Sequence, residues 1–271
     1  MIVDYHMHLR DERGDIAFTA DAIEPFVERA VERGVDEIGF TEHVYYFRQT
    51  HDIWDVAYQL ERCVFDIEAY CGAVVEAKRR GLPVKLGLEV DYVGSRQSHL
   101  SEILEPYPWD FLLGSVHWLE SEAVDQDPGV WAGSSVDDVW RRYFDAVAEL
   151  ASSGAIDVLA HLDLAKIFDR RPSLERRAEL YEAVADAIAG AGVCIEISTA
   201  GLRKPVGELY PDAELLSACV RRGVGLTLAS DAHDPQLVGE DFDLALALAG
   251  EARCETVVVF EGREGREEPL G

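Results

Sequence analysis

Short apolar runs alternate with amphipathic ones along the whole chain, the pattern of βα units around a parallel sheet. A first strand is expected over Met1–His6. The helix after it is built on Phe26, Val27, Ala30 and Val31, with Pro25 near its first turn and Gly34 just past its end. A second strand, Glu37–Thr41, leads to a longer helix from about Asp55 to Arg80. Val56, Leu60, Val64, Ile67, Val74 and Val75 drift along one face of that helix, and Gly81 and Pro83 stop it. Strands three and four are read at Val84–Val90 and Phe111–His117. Ser134 or Ser135 can cap the helix carrying Val139, Tyr143, Val147 and Leu150, which ends at Gly154. Strands over Ile156–His161, Val193–Ser198 and Gly225–Ser230 follow, interleaved with a helix opened by Ser173 and another after Pro211. A last βα-like repeat places a helix around Leu244–Ala249 and a strand at Cys254–Phe260. No glycine- or serine-rich linker interrupts this series. Residues 1–260 read as one barrel domain, and the charged, Gly/Pro-punctuated residues 261–271 as a frayed tail.

Composition narrows the class. At 271 residues and 48% hydrophobic, the chain can bury a barrel-sized core. No apolar run is long enough to span a bilayer, and Met1-Ile2-Val3 enters a strand without a basic n-region, so a cytoplasmic enzyme with no membrane partner is expected. Cys63, Cys71, Cys194, Cys219 and Cys254 form no C-x-x-C pair and read as buried small hydrophobes. The formal charge of −27, from 52 acidic and 25 basic residues, would repel a polyanion, so no nucleic-acid partner is expected. A small anionic substrate stays compatible, because bound metal cations reverse the local potential.

The chemistry sits at the strand ends. Six of the eight histidines close predicted strands: His6 and His8, His43, His117, His161 and His233. Glu89 and Asp231 close two of them as carboxylates, and Glu196 is the weakest such ending. Any one of these histidines is more often a hydrogen-bonded core or turn residue than a ligand. A bland explanation would have to hold independently at every strand, which disfavours it. His6 and His8, two apart, project to one face of their strand, and Asp231 and His233 repeat that spacing. The rim formed by the C-terminal ends of parallel barrel strands is where such enzymes build their sites. Mixed imidazole and carboxylate donors without thiolate suit Zn²⁺, Fe or Mn²⁺. More than four ligands implies more than one metal, an arrangement suited to phosphoester hydrolysis.

His6-Met7-His8, Thr41-Glu42-His43, Glu89, His117, His161 and Ser230-Asp231-Ala232-His233 resemble, in order and spacing, the motifs of the PHP (polymerase and histidinol phosphatase) superfamily. The likeness runs from His6 to about Gly239. Gly114–His117, Ala160–Asp163, Glu196–Lys204 and Glu208–Pro211 look like its histidinol-phosphate phosphatase branch. The resemblance implies an α/β fold, a distorted (β/α)7 TIM-like barrel. It also implies two or three divalent metal ions (Zn, Fe or Mn) at the C-terminal ends of the strands, held by His6, His8, His43, Glu89, His117, His161, Asp231 and His233. Two positions depart from the pattern. Gly14 stands where the family usually has an Asp or His that helps hold a third metal, with Asp11, Glu12 or Asp15 as possible substitutes. Ser198 stands where the branch tends to have Asn.

The implied reaction is hydrolysis of a small phosphomonoester, histidinol phosphate first, by a metal-activated water. Arg203 and Lys204, after the sixth strand, read as a phosphate clamp, since a guanidinium fork and an ammonium both suit phosphate oxygens. The bland alternative for the pair is a basic loop. Lys166 is a weaker candidate. Asp231 and Arg203 are expected to act in catalysis, with His233 or a metal-bound water as the source of the leaving-group proton. Glu208 is expected to pair with a cation of the substrate. Alternatives are another phosphorylated metabolite on the same scaffold, a nucleic-acid-processing PHP domain, or a non-catalytic metal-binding regulator.

Overall fold

A computed structural model describes residues 1–9, 16–126 and 129–271. In chain order its strands begin with β1 (Val3–Asp4), β2 (Glu37–Phe40), β3 (Val84–Leu86), β4 (Glu89–Asp91) and β5 (Leu113–Ser115). A small hairpin, β6 (Trp118–Leu119) and β7 (Glu122–Ala123), comes next. It is followed by β8 (Val158–Leu159), β9 (Cys194–Ser198), β10 (Leu226–Ala229), β11 (Thr256–Glu261) and β12 (Glu264–Pro269). The helices are α1 (Ala20–Glu32), α2 (Ala57–Arg62), α3 (Ile67–Arg79), α4 (Gln97–Leu104), α5 (Val136–Ser152), α6 (Leu174–Ala191), α7 (Ala213–Val220) and α8 (Phe242–Glu251). Among the described residues, no helix is long and apolar enough to cross a membrane.

Parallel pairing joins β1 to β2 and β2 to β3, and separately links β4, β5, β8, β9 and β10 in that order. Two features close these sheets into one barrel. Tyr5 N donates to Leu228 O at 3.0 Å and His8 N to Ala232 O at 2.8 Å, zipping the first strand to the last. On the other side β3 runs on into β4, so the two together fill the third strand position. The result is the seven-position α/β barrel expected of the sequence pattern, distorted at that third position. Serines 135 and 173 cap α5 and α6 as read, accepting from Asp138 N and Arg176 N.

Three expectations are corrected. The third strand does not run unbroken from Val84 to Val90. It bends at Gly87, where the Phe111 ring presses so closely that a Cβ would lie 2.7 Å from it. The Tyr70 hydroxyl lies 2.8 Å from both Phe40 O and Gly87 O, taking acceptors at the bend. The single helix over residues 55–80 is two. Val64 N and Phe65 N both donate to Tyr46 O, and Asp66 then caps a fresh helix by accepting from Glu68 N. Val64, on the periodic apolar face, is consequently exposed.

The third correction concerns the tail, which is not frayed. Residues 264–269 pair antiparallel with β11 from Glu261↔Glu264 to Thr256↔Pro269, and the Met1 amino group lies 2.5 Å from Pro269 O. Val257, Val258, Val259 and Phe260 are buried, and Phe260 packs on Phe111 with ring centroids 5.9 Å apart. A strand buried to that extent still needs a partner for its backbone groups, and the charged segment supplies it while keeping its own side chains in water.

Candidate metal centre

Beyond each strand end the chain turns a ligand-type side chain into a common space. The buried Glu89 carboxylate lies at its middle. Its oxygens are 2.5 Å from His43 Nδ1, 3.2 Å from His161 Nε2, 3.4 Å from His117 Nε2 and 3.5 Å from His6 Nε2. Ser115 Oγ donates to Glu89 Oε1 at 2.6 Å. Asp231 Oδ1 sits 3.4 Å from His8 Nε2 and 3.6 Å from His6 Nε2. The His8 ring stacks between His43 and His233, with centroids 4.4 and 4.2 Å away. Three sets of donor atoms lie within 4.8 Å of one another: His6, His8 and Asp231; His43, Glu89 and His117; and His8, His43 and His233. Every histidine and carboxylate expected as a ligand from the sequence is therefore brought to one place.

The donors fit metal cations better than they fit one another. His6 Nε2, both ring nitrogens of His8, His43 Nδ1 and Glu89 Oε2 are buried without a hydrogen-bond partner among the described residues. His43 Nδ1 and Glu89 Oε2 are 2.5 Å apart without hydrogen-bond geometry. A buried polar atom left unpaired costs about 1–3 kcal/mol, and a shared cation removes that cost for several at once. The titration preferences agree. Burial resists charging His6, yet Glu196, Asp231 and Glu89 hold its pKa well above the ordinary value. Burial likewise opposes His117, which Glu89 and Asp91 nonetheless push up to about 10. His233 goes the other way: burial and the neighbouring His8 hold its pKa well below the usual imidazole range. The carboxylates thus call for positive charge, which protons supply in the absence of metal and divalent ions supply better.

A further layer orients these donors. Glu196 lies 3.1 Å from His6 Nδ1 and accepts from His161 N at 2.8 Å, so the weakest of the strand-end ligands in the sequence serves as a brace. Asp91 Oδ1 is 2.8 Å from His117 Nδ1. Glu42 Oε1 accepts from Leu9 N at 2.6 Å while its other oxygen lies 3.7 Å from His8 Nδ1. Asp4, pushed up to about 6 by burial, accepts from Ser230 N at 2.8 Å and Gly239 N at 2.9 Å, fixing the turn that carries Asp231. Asp91 and Asp4 were not singled out in the sequence. The i, i+2 spacing of Glu89 and Asp91 was the available signal, the same one that marked His6 and His8. His161 and Asp231 adopt positive φ, 25° and 51°, left-handed backbone that Asp and His tolerate better than most residues but that still carries strain.

A residue-lined cavity of about 190 Å³ opens beside the cluster. It is lined by Glu89, His43, His117, His161, Asp231 and His233 of the cluster, by the aromatic Tyr45, Tyr58 and Trp118, and by Lys204, Tyr210 and Asp125. Lys204 has no acidic partner among the described residues. Arg203 points elsewhere, donating to Ser230 O and lying 3.5 Å from Glu240. Lys166 is fully buried, 2.9 Å from Asp163 and donating to Leu209 O at 2.6 Å, so it is a strut and not a phosphate ligand. Glu208 is taken by Arg171 at 2.7 Å and Lys166 at 3.5 Å, away from the cavity wall.

The family model described as PHP domain matches residues 4–200. The chain belongs to the PHP domain family. Among the relatives of this PHP domain, the probable histidinol-phosphatase of Deinococcus radiodurans is 33% identical over 224 residues, covering 80% of this chain and 82% of that protein. The histidinol-phosphatase of Bacillus subtilis is 27% identical over 254 residues, covering 83% of this chain and 92% of its own length. In fold, this PHP domain is similar to the histidinol phosphate phosphatase of Lactococcus lactis, solved with zinc, L-histidinol and phosphate. That similarity has a TM-score of 0.74 at 21% identity and covers 98% of both chains. The position of the family's third-metal ligand, Gly14, and the candidate substitutes Asp11, Glu12 and Asp15 lie outside the described residues.

Proposed function

We infer that this chain is a metal-dependent phosphomonoesterase that hydrolyses L-histidinol phosphate to L-histidinol and phosphate, a cytoplasmic step of histidine biosynthesis. The observation that carries the reaction class is the convergence of six imidazoles, Glu89 and Asp231 on one space, with buried nitrogens that lack a partner among the described residues, beside a cavity lined by Lys204. The substrate rests on the relatives, which carry the histidinol-phosphatase name across most of their length.

We assign His6, His8, His43, Glu89, His117, His161, Asp231 and His233 as the ligands of two or three divalent ions. Bound there, the ions neutralise phosphoryl charge and acidify a water. The protein's own contribution is placement and charge. Lys204 meets the phosphoryl oxygens from the cavity wall. Arg203 does not line the cavity; bonded to Ser230 O and 3.5 Å from Glu240, its guanidinium supports the turn that carries Asp231. Asp231 stays ionised, since His6 and His8 hold its carboxyl well below the usual range against the pull of burial. His233 lines the cavity, and because burial and His8 keep its imidazole neutral it suits a metal ligand, which leaves a water at the site as the source of the leaving-group proton. For the cationic groups of histidinol the structure favours Asp125 over Glu208, because Asp125 faces the cavity and Glu208 is already paired. Zinc-, iron- or manganese-loaded protein should release phosphate from histidinol phosphate faster than from other small phosphoesters. No release with any of the three ions would overturn the assignment. Equal rates across a panel of phosphoesters would leave only the reaction class.

A further inference from the structure

Tyr210 is 1% exposed, and its hydroxyl has no hydrogen-bond partner among the described residues. Other buried phenols of this protein are satisfied: Tyr70 by two backbone carbonyls, Tyr181 by Asp212 at 2.6 Å, Tyr143 by His161 O at 3.4 Å. An unpaired buried hydroxyl is worse for folding than the plain ring of a phenylalanine. Yet the ring is held with unusual care. Ser198 N donates to Tyr210 O at 2.6 Å and Tyr210 N returns a bond to Ser198 O at 3.0 Å. Gly201 lets the segment close in, since a Cβ there would sit 2.0 Å from Glu208 O and 2.9 Å from the Tyr210 ring. The Lys166 ammonium, anchored by Asp163, ties down Leu209 O and lies 5.3 Å from the ring centroid. So much support for a ring with an idle oxygen points to a partner that arrives with the substrate.

The place fits a phosphoryl group. Tyr210 lines the cavity with Lys204, its ring centroid 6.4 Å from that of His161 in the metal centre. We propose that the Tyr210 hydroxyl is a substrate-contacting donor that, together with Lys204, receives the phosphoryl oxygens turned away from the metal ligands. This rests on the phosphoester reading of the site. A phenol is a donor at neutral pH. The wall built by the segment after β9 then discriminates by anion geometry: one hydroxyl and one ammonium face the oxygens that the metals do not cover. The competing explanation is structural. Asp163 Oδ1 is also buried and unpaired, and a trapped water could link the two groups.

Tyr210→Phe in the full-length, metal-loaded protein separates these. Binding of inorganic phosphate is measured by calorimetry and by the rise in thermal midpoint that phosphate causes, next to kcat/KM on histidinol phosphate and on an aryl phosphate. The proposal expects phosphate affinity and both kcat/KM values to fall about tenfold, the worth of one hydrogen bond to a charged group. It also expects unchanged metal content and a phosphate-free midpoint equal to or above that of the parent. Phosphate affinity within twofold of the parent would overturn it. So would a lower phosphate-free midpoint accompanying the loss, which would assign the hydroxyl to a structural bond. Should the parent bind phosphate but leave histidinol phosphate intact, the proposed function fails, while the phosphate titration still decides the role of Tyr210.

Discussion

Lys166→Met probes the support behind the cavity wall. In the parent both partners are fully buried, with Lys166 Nζ 2.9 Å from Asp163 Oδ2 and donating to Leu209 O. Methionine fills much of the same volume but removes the charge, leaving Asp163 as a buried carboxylate whose other oxygen already lacks a partner. Breaking a buried pair on one side costs about 3–5 kcal/mol, because the remaining ion is uncompensated. In a domain approaching this length, 1 kcal/mol moves the thermal midpoint by about 2–4 °C, so a drop of roughly 6–20 °C is expected in calorimetry or a dye-based melt. The diagnostic partner is Asp163→Asn. Asparagine keeps an acceptor for Asp212 N, which bonds Asp163 Oδ2 at 2.9 Å, while removing the charge. Lys166→Met/Asp163→Asn should therefore recover at least half of the loss. A single variant within about 1 kcal/mol of the parent, or a double variant no more stable than the single, would refute the argument that an uncompensated charge sets the cost.

Three further outcomes follow from the structure. Asp91→Asn weakens the 2.8 Å contact that orients His117, and should lower metal affinity roughly 10–100-fold, read by competition with a chelator; unchanged affinity would mean His117 needs no brace. Lys204→Ala should raise KM for phosphoesters about tenfold with metal content intact, from loss of a charge-assisted contact; an unchanged KM would return the lysine to an ordinary surface loop. Deleting residues 262–271 strips β12 from β11 and bares the edge beside Val257, Val258, Val259 and Phe260. Aggregation or a clearly lower midpoint is expected, and a soluble product melting with the parent would show that β11 holds without its partner.

The sequence by itself determined the barrel and which strand ends carry the candidate ligands. Those depend on local periodicity and on residue types that recur at strand ends. Once the strands are parallel and closed, His6, His8, Glu89, His117, His161 and Asp231 have one rim on which to meet. Only the tertiary structure decided which groups serve each other. The break at Gly87 depends on a ring from Phe111, the split near Phe65 on the carbonyl of Tyr46, and the final strand on a buried run that needed a backbone partner. The first two partners are distant in sequence, and the third, though adjacent, is a charged segment with no apolar pattern to mark it as a strand. The same holds at the site. Arg203, Lys204, Lys166 and Glu208 look alike in sequence as charges near a phosphate, yet Arg203 is tethered to Ser230, Lys166 is sealed against Asp163, and Glu208 is claimed by Arg171. Lys204 alone of the four lines the cavity among the described residues. Charge type is written in the chain, but whether a charge is free depends on what folding brings beside it.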